Sequence, residues 1–205
     1  MKIRTEEEIA ARELIRSAFH EASHAAVVRH FGAYPSPQIW RNEGHEERLE
    51  AAWTGTCEIA NLNQTLTEES LSLIAMAGFI GEQIAFAKLD GDSLDQIEES
   101  IADMLFSAIE DAELSEADLS DIAEDTSEAH VRQTFQLLKV LWNDVELDAN
   151  SMIAQAKELP PTDQCVIYPE TDRPSMMEYF GINVAAGDAE DINAFLGIDT
   201  PQGTH

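Results

Sequence analysis

Five residues near the start of this 205-residue chain, His20-Glu21-Ala22-Ser23-His24, constrain it more than any other feature. They lie inside a stretch, residues 5–31, that reads as a helix. On a helix, residues four apart share a face, about 40° from each other. Two imidazoles so placed can bind one metal ion, with Glu21 beside them in reach of a water on that ion. This HExxH arrangement belongs to zinc-dependent hydrolases, in which the two His are ligands and the Glu is a general base. A chain that uses it must keep residues 20–24 helical and bring a third ligand from elsewhere.

The helix evidence is local. Thr5 can cap the N-terminus, and Glu6, Glu7 and Glu8 fill the first turn, where the macrodipole favours anions. Apolar residues then recur at Ile9, Leu14, Ile15, Phe19, Ala22, Ala26 and Val27, close to helical spacing, and Gly32 follows as a stop signal. His20 and His24 fall on or beside the buried face.

A chain of this length is one domain, or one domain with an appendage, and 44% apolar residues suffice for a core. Forty acidic residues against twelve basic ones give a net charge of −28. Binding to nucleic-acid phosphates or to an anionic membrane is therefore disfavoured. The lysines are Lys2, Lys88, Lys139 and Lys157, so the surface is largely Asp and Glu. Adaptation to high salt, a basic protein partner and plain solubility all fit such a surface. Cys57 and Cys165 are far apart and match no zinc spacing, which fits a reduced, cytoplasmic setting. Residues 1–4 run straight into acids with no signal-peptide pattern, and no apolar run approaches the roughly 20 residues of a membrane span. No Walker-type phosphate loop is present, so no ATPase is expected.

Along the chain, the pattern predicts a mainly α fold with a small β-sheet, an α+β class. After Gly32, residues 38–41 and 52–59 read as short strands, linked by a polar stretch that contains His45. Thr67-Glu68-Glu69-Ser70 opens a helix to about residue 87, whose small residues at 77, 78 and 81 let another helix approach closely. A turn at 90–93 precedes an amphipathic helix with Leu94, Ile97, Ile101, Leu105, Ala108 and Ile109 on one side. Ser115-Glu116-Ala117-Asp118 opens a short helical run, and Ser127 begins a long helix to about residue 158, ended by Pro160-Pro161. His130 reads as surface or capping. This places a domain at 1–160 and a Pro/Gly-rich acidic tail at 161–205, with apolar clusters at 176–180 and 192–196, that docks on the domain, orders on a partner or stays mobile.

The residues alone leave the third ligand open. His30 matches the metzincin spacing, but that pattern needs glycine where this chain has Val27, and on a continuing helix His30 points well away. A glutamate from the acid-rich downstream region is the thermolysin-type choice, and no particular one stands out. Here a resemblance enters. Phe19-His20-Glu21-Ala22-Ser23-His24-Ala25-Ala26 looks like the HEAGHA-type motif of the FtsH peptidase family, and Ala77-Gly78-Phe79-Ile80-Gly81-Glu82-Gln83-Ile84-Ala85-Phe86 resembles that family's following helix. Trp53-Thr54-Gly55 falls where the family has its small β-region. The resemblance covers residues 15–145 and implies a helical, zincin-like peptidase domain. It also implies an aspartate ligand at the start of a later helix, for which Asp118-Leu119-Ser120-Asp121-Ile122-Ala123 is the best match, with Asp118 as ligand and Asp121 as fallback. Asp118 has apolar residues at +1, +4 and +5, so the helix it starts is expected to bury its next turns. Ser23 stands where the family has glycine, and the ATPase module and membrane anchor of the full proteases have no counterpart here.

The resulting expectation is a stand-alone, ATP-independent zinc metallopeptidase acting on peptides or unfolded polypeptide. His20, His24 and Asp118 would hold Zn2+, Glu21 would be the base, and Glu82 would orient a ligand His from behind. The rival expectation is a catalytically retired peptidase fold that uses its acidic surface to bind a basic protein. Mimicry of nucleic acid rests on charge alone, and self-association into a homo-oligomer is left open.

Overall fold

Thr5 starts the first helix as its spacing predicts. Its hydroxyl accepts the Glu8 N–H at 3.2 Å while its own N–H donates to the Glu8 carboxylate at 2.9 Å, a reciprocal capping box. A computed structural model describes residues 5–42, 51–61, 64–159 and 165–170, and its first helix, α1, runs Glu6–His30. Gly32, at φ +78°, takes the left-handed conformation that turns the chain out of it. Two strands follow, β1 (Tyr34–Arg41) and β2 (Trp53–Ala60), and then α2 (Glu68–Asp90), α3 (Leu94–Glu110), α4 (Glu116–Asp121) and α5 (Glu128–Glu158). The fold is thus mainly helical with one small antiparallel sheet, the α+β class expected.

Helix α1 is the hub. It packs on α2, on α5 and on both strands, and its second half is enclosed almost all round: Ala18, Ala22, Ala25, Val27 and Val28 have no exposed surface. Phe19 stacks on Trp142 of α5 with ring centroids 5.7 Å apart. Arg29, at the end of α1, pairs at 2.6 Å with Asp148, a fully buried carboxylate of α5. Beneath α1 the core is filled by Met76, Ile80 and Ile84 of α2, Ile101 and Leu105 of α3, and Val131, Phe135, Leu138 and Met152 of α5. The α2 sequence is long and apolar enough to cross a membrane, contrary to the expectation from apolar runs, but 78% of that stretch is buried inside the protein. Its apolar character is accounted for by its central place in this core.

Two boundaries differ from the sequence reading. Strand β1 begins at Tyr34 rather than Gln38, running through Pro35 and Pro37. Ile39 exchanges both its backbone hydrogen bonds with Ile167, so residues of its parity, 35 and 37 included, turn their nitrogens away from β2. Proline costs the β1–β2 ladder nothing at those positions. The second difference is downstream. Residues 165–170 run beside β1, with Ile167 buried, Gln155 donating to the Tyr168 carbonyl at 2.6 Å and Glu170 N–H donating to Ser151 at 2.8 Å. The first unit accordingly spans Met1–Thr171, past the expected boundary at 160. His45 and the clusters at 176–180 and 192–196 lie outside the described residues.

The contact between α1 and α2 is tight because α2 presents glycines to it. A Cβ built at Gly81 would run into the Ser23 side chain, and one built at Gly78 would meet the imidazoles of His20 and His24. Ser23 itself donates to the Phe19 carbonyl at 2.7 Å. Serine therefore fits on α1 because the opposing position on α2 has no side chain. Gly81→Ala is expected to lower stability: overpacking costs about 1–3 kcal/mol, more than the roughly 1 kcal/mol that alanine gains over glycine in a helix. Adding Ser23→Gly should recover most of the loss, read as the urea midpoint of the single and double variants.

Candidate metal centre

His20 and His24 reach the centre from successive turns of α1. Each imidazole is held from behind: His20 Nδ1 lies 2.7 Å from Glu82 Oε1 on α2, and His24 Nδ1 donates to the Ile74 carbonyl at 2.7 Å. With Nδ1–H donated, both rings present Nε2 to the same space. Asp118, on α4, faces them there: its Oδ2 is 3.4 Å from His20 Nε2 and its Oδ1 is 3.4 Å from His24 Nε2. The ligand-capable atoms of these three residues all lie within 4.8 Å of one another. Three such atoms, one from each residue, could hold one metal ion between them. Gly78 closes the back of this space, and any larger residue there would press on both Nε2 atoms.

Asp118 is positioned by its own turn. Ser115 caps α4, accepting the Asp118 N–H at 3.0 Å and donating its hydroxyl to Asp118 Oδ2 at 2.8 Å. The expectation that this helix buries its next turns does not hold. None of the six residues of α4 is fully buried, and the helix ends at Ile122, where the backbone becomes extended. The segment after α4 is tied down instead by Ser72 of α2, whose hydroxyl accepts the Ala123 N–H at 3.2 Å and lies 3.2 Å from the Thr126 hydroxyl. Asp121, the fallback ligand, is exposed and outside the cluster. His30 is exposed at the end of α1 with its ring against Phe31, and His130 caps α5 by accepting the Ser127 N–H at 3.2 Å.

Glu21 is 5% exposed and lies under β2, where a Cβ at Gly55 would come within 2.6 Å of its Cγ. Burial pushes its carboxyl up to about 7, against the charge of His20 and with the charges of Asp118 and Glu82. The other groups divide the local charge. Burial alone would lower His20, but its hydrogen bonds to Asp118 and Glu82, with the charges of Glu21 and Glu82, raise it to about 10. His24 is lowered to about 4 by burial and by the charge of His20. Asp118 is held below its ordinary value: burial would raise it, but its hydrogen bond to His20 and the charges of both histidines prevail. Without an ion, the proton on His20 is what compensates Asp118 and Glu82. A divalent cation between the same groups would replace that proton.

The arrangement brings together His20, Glu21, His24, Glu82 and Asp118. It adds three features that the sequence reading did not assign to the site: Gly78 behind the imidazoles, Gly55 over Glu21, and the Ile74 carbonyl that orients His24. Gly78 was legible as a small residue on a packed helix face, and Gly55 as part of a strand; a backbone carbonyl leaves no sequence signal. The free cysteines, Cys57 and Cys165, are not part of the cluster. No protein-family model matches the chain, and no curated protein matches it significantly. The likeness to the FtsH peptidase family therefore rests on the motifs quoted above.

The centre predicts about one zinc per chain, measured by elemental analysis after dialysis, lost in His24→Ala and in Asp118→Ala and kept in Asp121→Ala. Gly78→Ala should also lose the metal, since its methyl group would occupy the space between the rings. Zinc retained by Asp118→Ala would remove Asp118 as a ligand.

Proposed function

We propose that this chain is a zinc-dependent metallopeptidase that hydrolyses peptide bonds in flexible polypeptide without ATP. The observation that carries the reading is the convergence of His20 Nε2, His24 Nε2 and the Asp118 carboxylate within 4.8 Å, with the buried Glu21 next in sequence to a ligand. Two imidazoles and one carboxylate are the donor set of a hydrolytic zinc site with an open position, whereas structural sites usually fill all four. Zinc bound there would act as a Lewis acid toward a water and a scissile carbonyl.

The chain's own residues supply the rest. Glu21 accepts a proton from the attacking water and delivers it to the leaving amine. Glu82 and the Ile74 carbonyl fix the two imidazoles so that Nε2, not Nδ1, faces the reaction. The sheet offers a place for the substrate backbone. Gly55 lies opposite Ile39 in the register, and Ile39 spends its hydrogen bonds on Ile167, so Gly55 turns its N–H and C=O to the outer edge of β2. Among the described residues no strand covers that edge. An extended peptide added there would pass over Glu21, which is how edge strands take up unfolded chain.

Glu21→Gln should keep its zinc and lose about 10²–10⁴-fold in the cleavage of an unstructured casein or a quenched fluorescent peptide. Full cleavage by that variant would remove the mechanism. Zinc bound by the wild type with no cleavage of any unstructured substrate would favour the rival reading of an acidic binding protein.

A further inference from the structure

A shallow cleft of about 190 Å³ opens on the N-terminal half of α1, lined by Ile9, Arg12, Glu13, Arg16 and Phe86. Residues 9, 13, 16, 20 and 24 recur at helical spacing, so the cleft and the two imidazoles share one stripe of α1. At 1.5 Å per residue, Arg16 is about 6 Å along the axis from His20 and Ile9 about 16 Å. A peptide extended at about 3.3 Å per residue covers that distance with two to five residues.

The chemistry of the lining is specific. Arg12 lies over the Phe86 ring at 4.4 Å and pairs with Asp90 at 3.4 Å. Arg16 is half exposed, and its ion pair among the described residues, to Glu82 Oε1, is 4.0 Å long. Arg12, Arg29, Lys88, Arg132 and Lys139 each have a carboxylate at 3.4 Å or closer. The acids around the cleft are already engaged: Glu13 accepts the Ala52 N–H at 2.7 Å, Asp90 faces Arg12, and Glu82 lies 2.7 Å from His20. What is left over is the guanidinium fork of Arg16, beside the exposed Ile9 and the face of Phe86. The lining sets two guanidinium groups against the one carboxylate of Glu13, so in a chain of net charge −28 this cleft is a spot where an anion meets less repulsion than the composition as a whole implies.

We propose that this cleft binds a peptide carboxylate adjacent to an apolar side chain, with Arg16 as the anion's main partner and Arg12 and Phe86 as the platform. Its role as the anchor that places a substrate across the metal centre rests on the peptidase reading; the binding itself does not. The carboxylate is either an Asp or Glu side chain or the C-terminus of a peptide, since both offer Arg the same planar pair of oxygens.

Three short peptides separate these cases: N-acetyl-Glu-Phe-amide, N-acetyl-Gln-Phe with a free C-terminal carboxylate, and N-acetyl-Gln-Phe-amide with neither. Each is titrated into zinc-loaded Glu21→Gln protein, which leaves the peptides intact, while the Nε–H signals of the arginines are followed by NMR. At least one carboxylate peptide should shift the Arg16 signal and bind at least about fivefold tighter than the neutral one. Whichever does so names the source of the carboxylate. Arg16→Gln should abolish the preference and Arg16→Lys keep part of it. Following Arg16 itself prevents a carboxylate captured by the zinc from being read as occupancy of the cleft. Equal affinity for all three peptides, or a preference unchanged in Arg16→Gln, overturns the proposal. Because the readout is binding, a wild type that cuts no substrate leaves this result standing, and loss of the preference leaves the peptidase reading standing.

Discussion

Helices α1 and α2 touch across glycine, and nearly every other feature of the centre depends on how closely they do so. Gly78 gives the imidazoles of His20 and His24 room on the face of α1, and Gly81 gives Ser23 the same one turn further on. The short separation then brings Glu82 and the Ile74 carbonyl, both on α2, to hydrogen-bonding distance of the two Nδ1 atoms. A larger residue at either glycine would push the helices apart and take the orienting groups with them. One packing contact thus sets both the fold's central seam and the direction in which the ligand nitrogens point.

Electrostatics works at two scales here. The surface as a whole carries a large negative charge, yet around His20 the acids are few and withdrawn from water, Glu21 buried and Glu82 and Asp118 partly so. Glu21, Glu82 and Asp118 crowd about one imidazolium, and Arg29 and Asp148 form a second buried pair at the far end of α1. Burying like charges this densely is tolerable only where a positive charge sits among them. A cation held by His20, His24 and Asp118 would take over the role that the single imidazolium plays among these carboxylates.

Much of this was legible in the sequence because it is written locally. Thr5 with Glu8, Thr67 with Ser70, and Ser127 mark helix starts through bonds that span three residues, and Gly32 and Gly91 mark stops through a backbone conformation. His20, Glu21 and His24 were legible for the same reason. What escaped depends on contacts between distant parts of the chain. The strand was read from Gln38 onward, and that it also takes in Pro35 and Pro37 depends on Ile167, roughly 130 residues later, which decides which way each nitrogen faces. Asp118 could be named only through a family resemblance, and its helix was expected to be buried because apolar spacing reports periodicity and not depth. In the structure Leu119 and Ile122 are only partly covered, and polar bonds to Ser115 and Ser72 hold the turn where burial was expected to.

That weakly buried turn has a thermodynamic consequence. A helix of six residues with no fully buried side chain has little apolar free energy of its own and opens more readily than α1, α2 or α5, each of which has a buried face. An ion shared by α1 and Asp118 would act as a removable cross-link between points roughly ninety residues apart in the chain, closing a loop in the manner of a disulfide. Its loss would be felt first as faster amide hydrogen exchange over residues 115–126, while α1, α2 and α5 keep the protection that their packing provides.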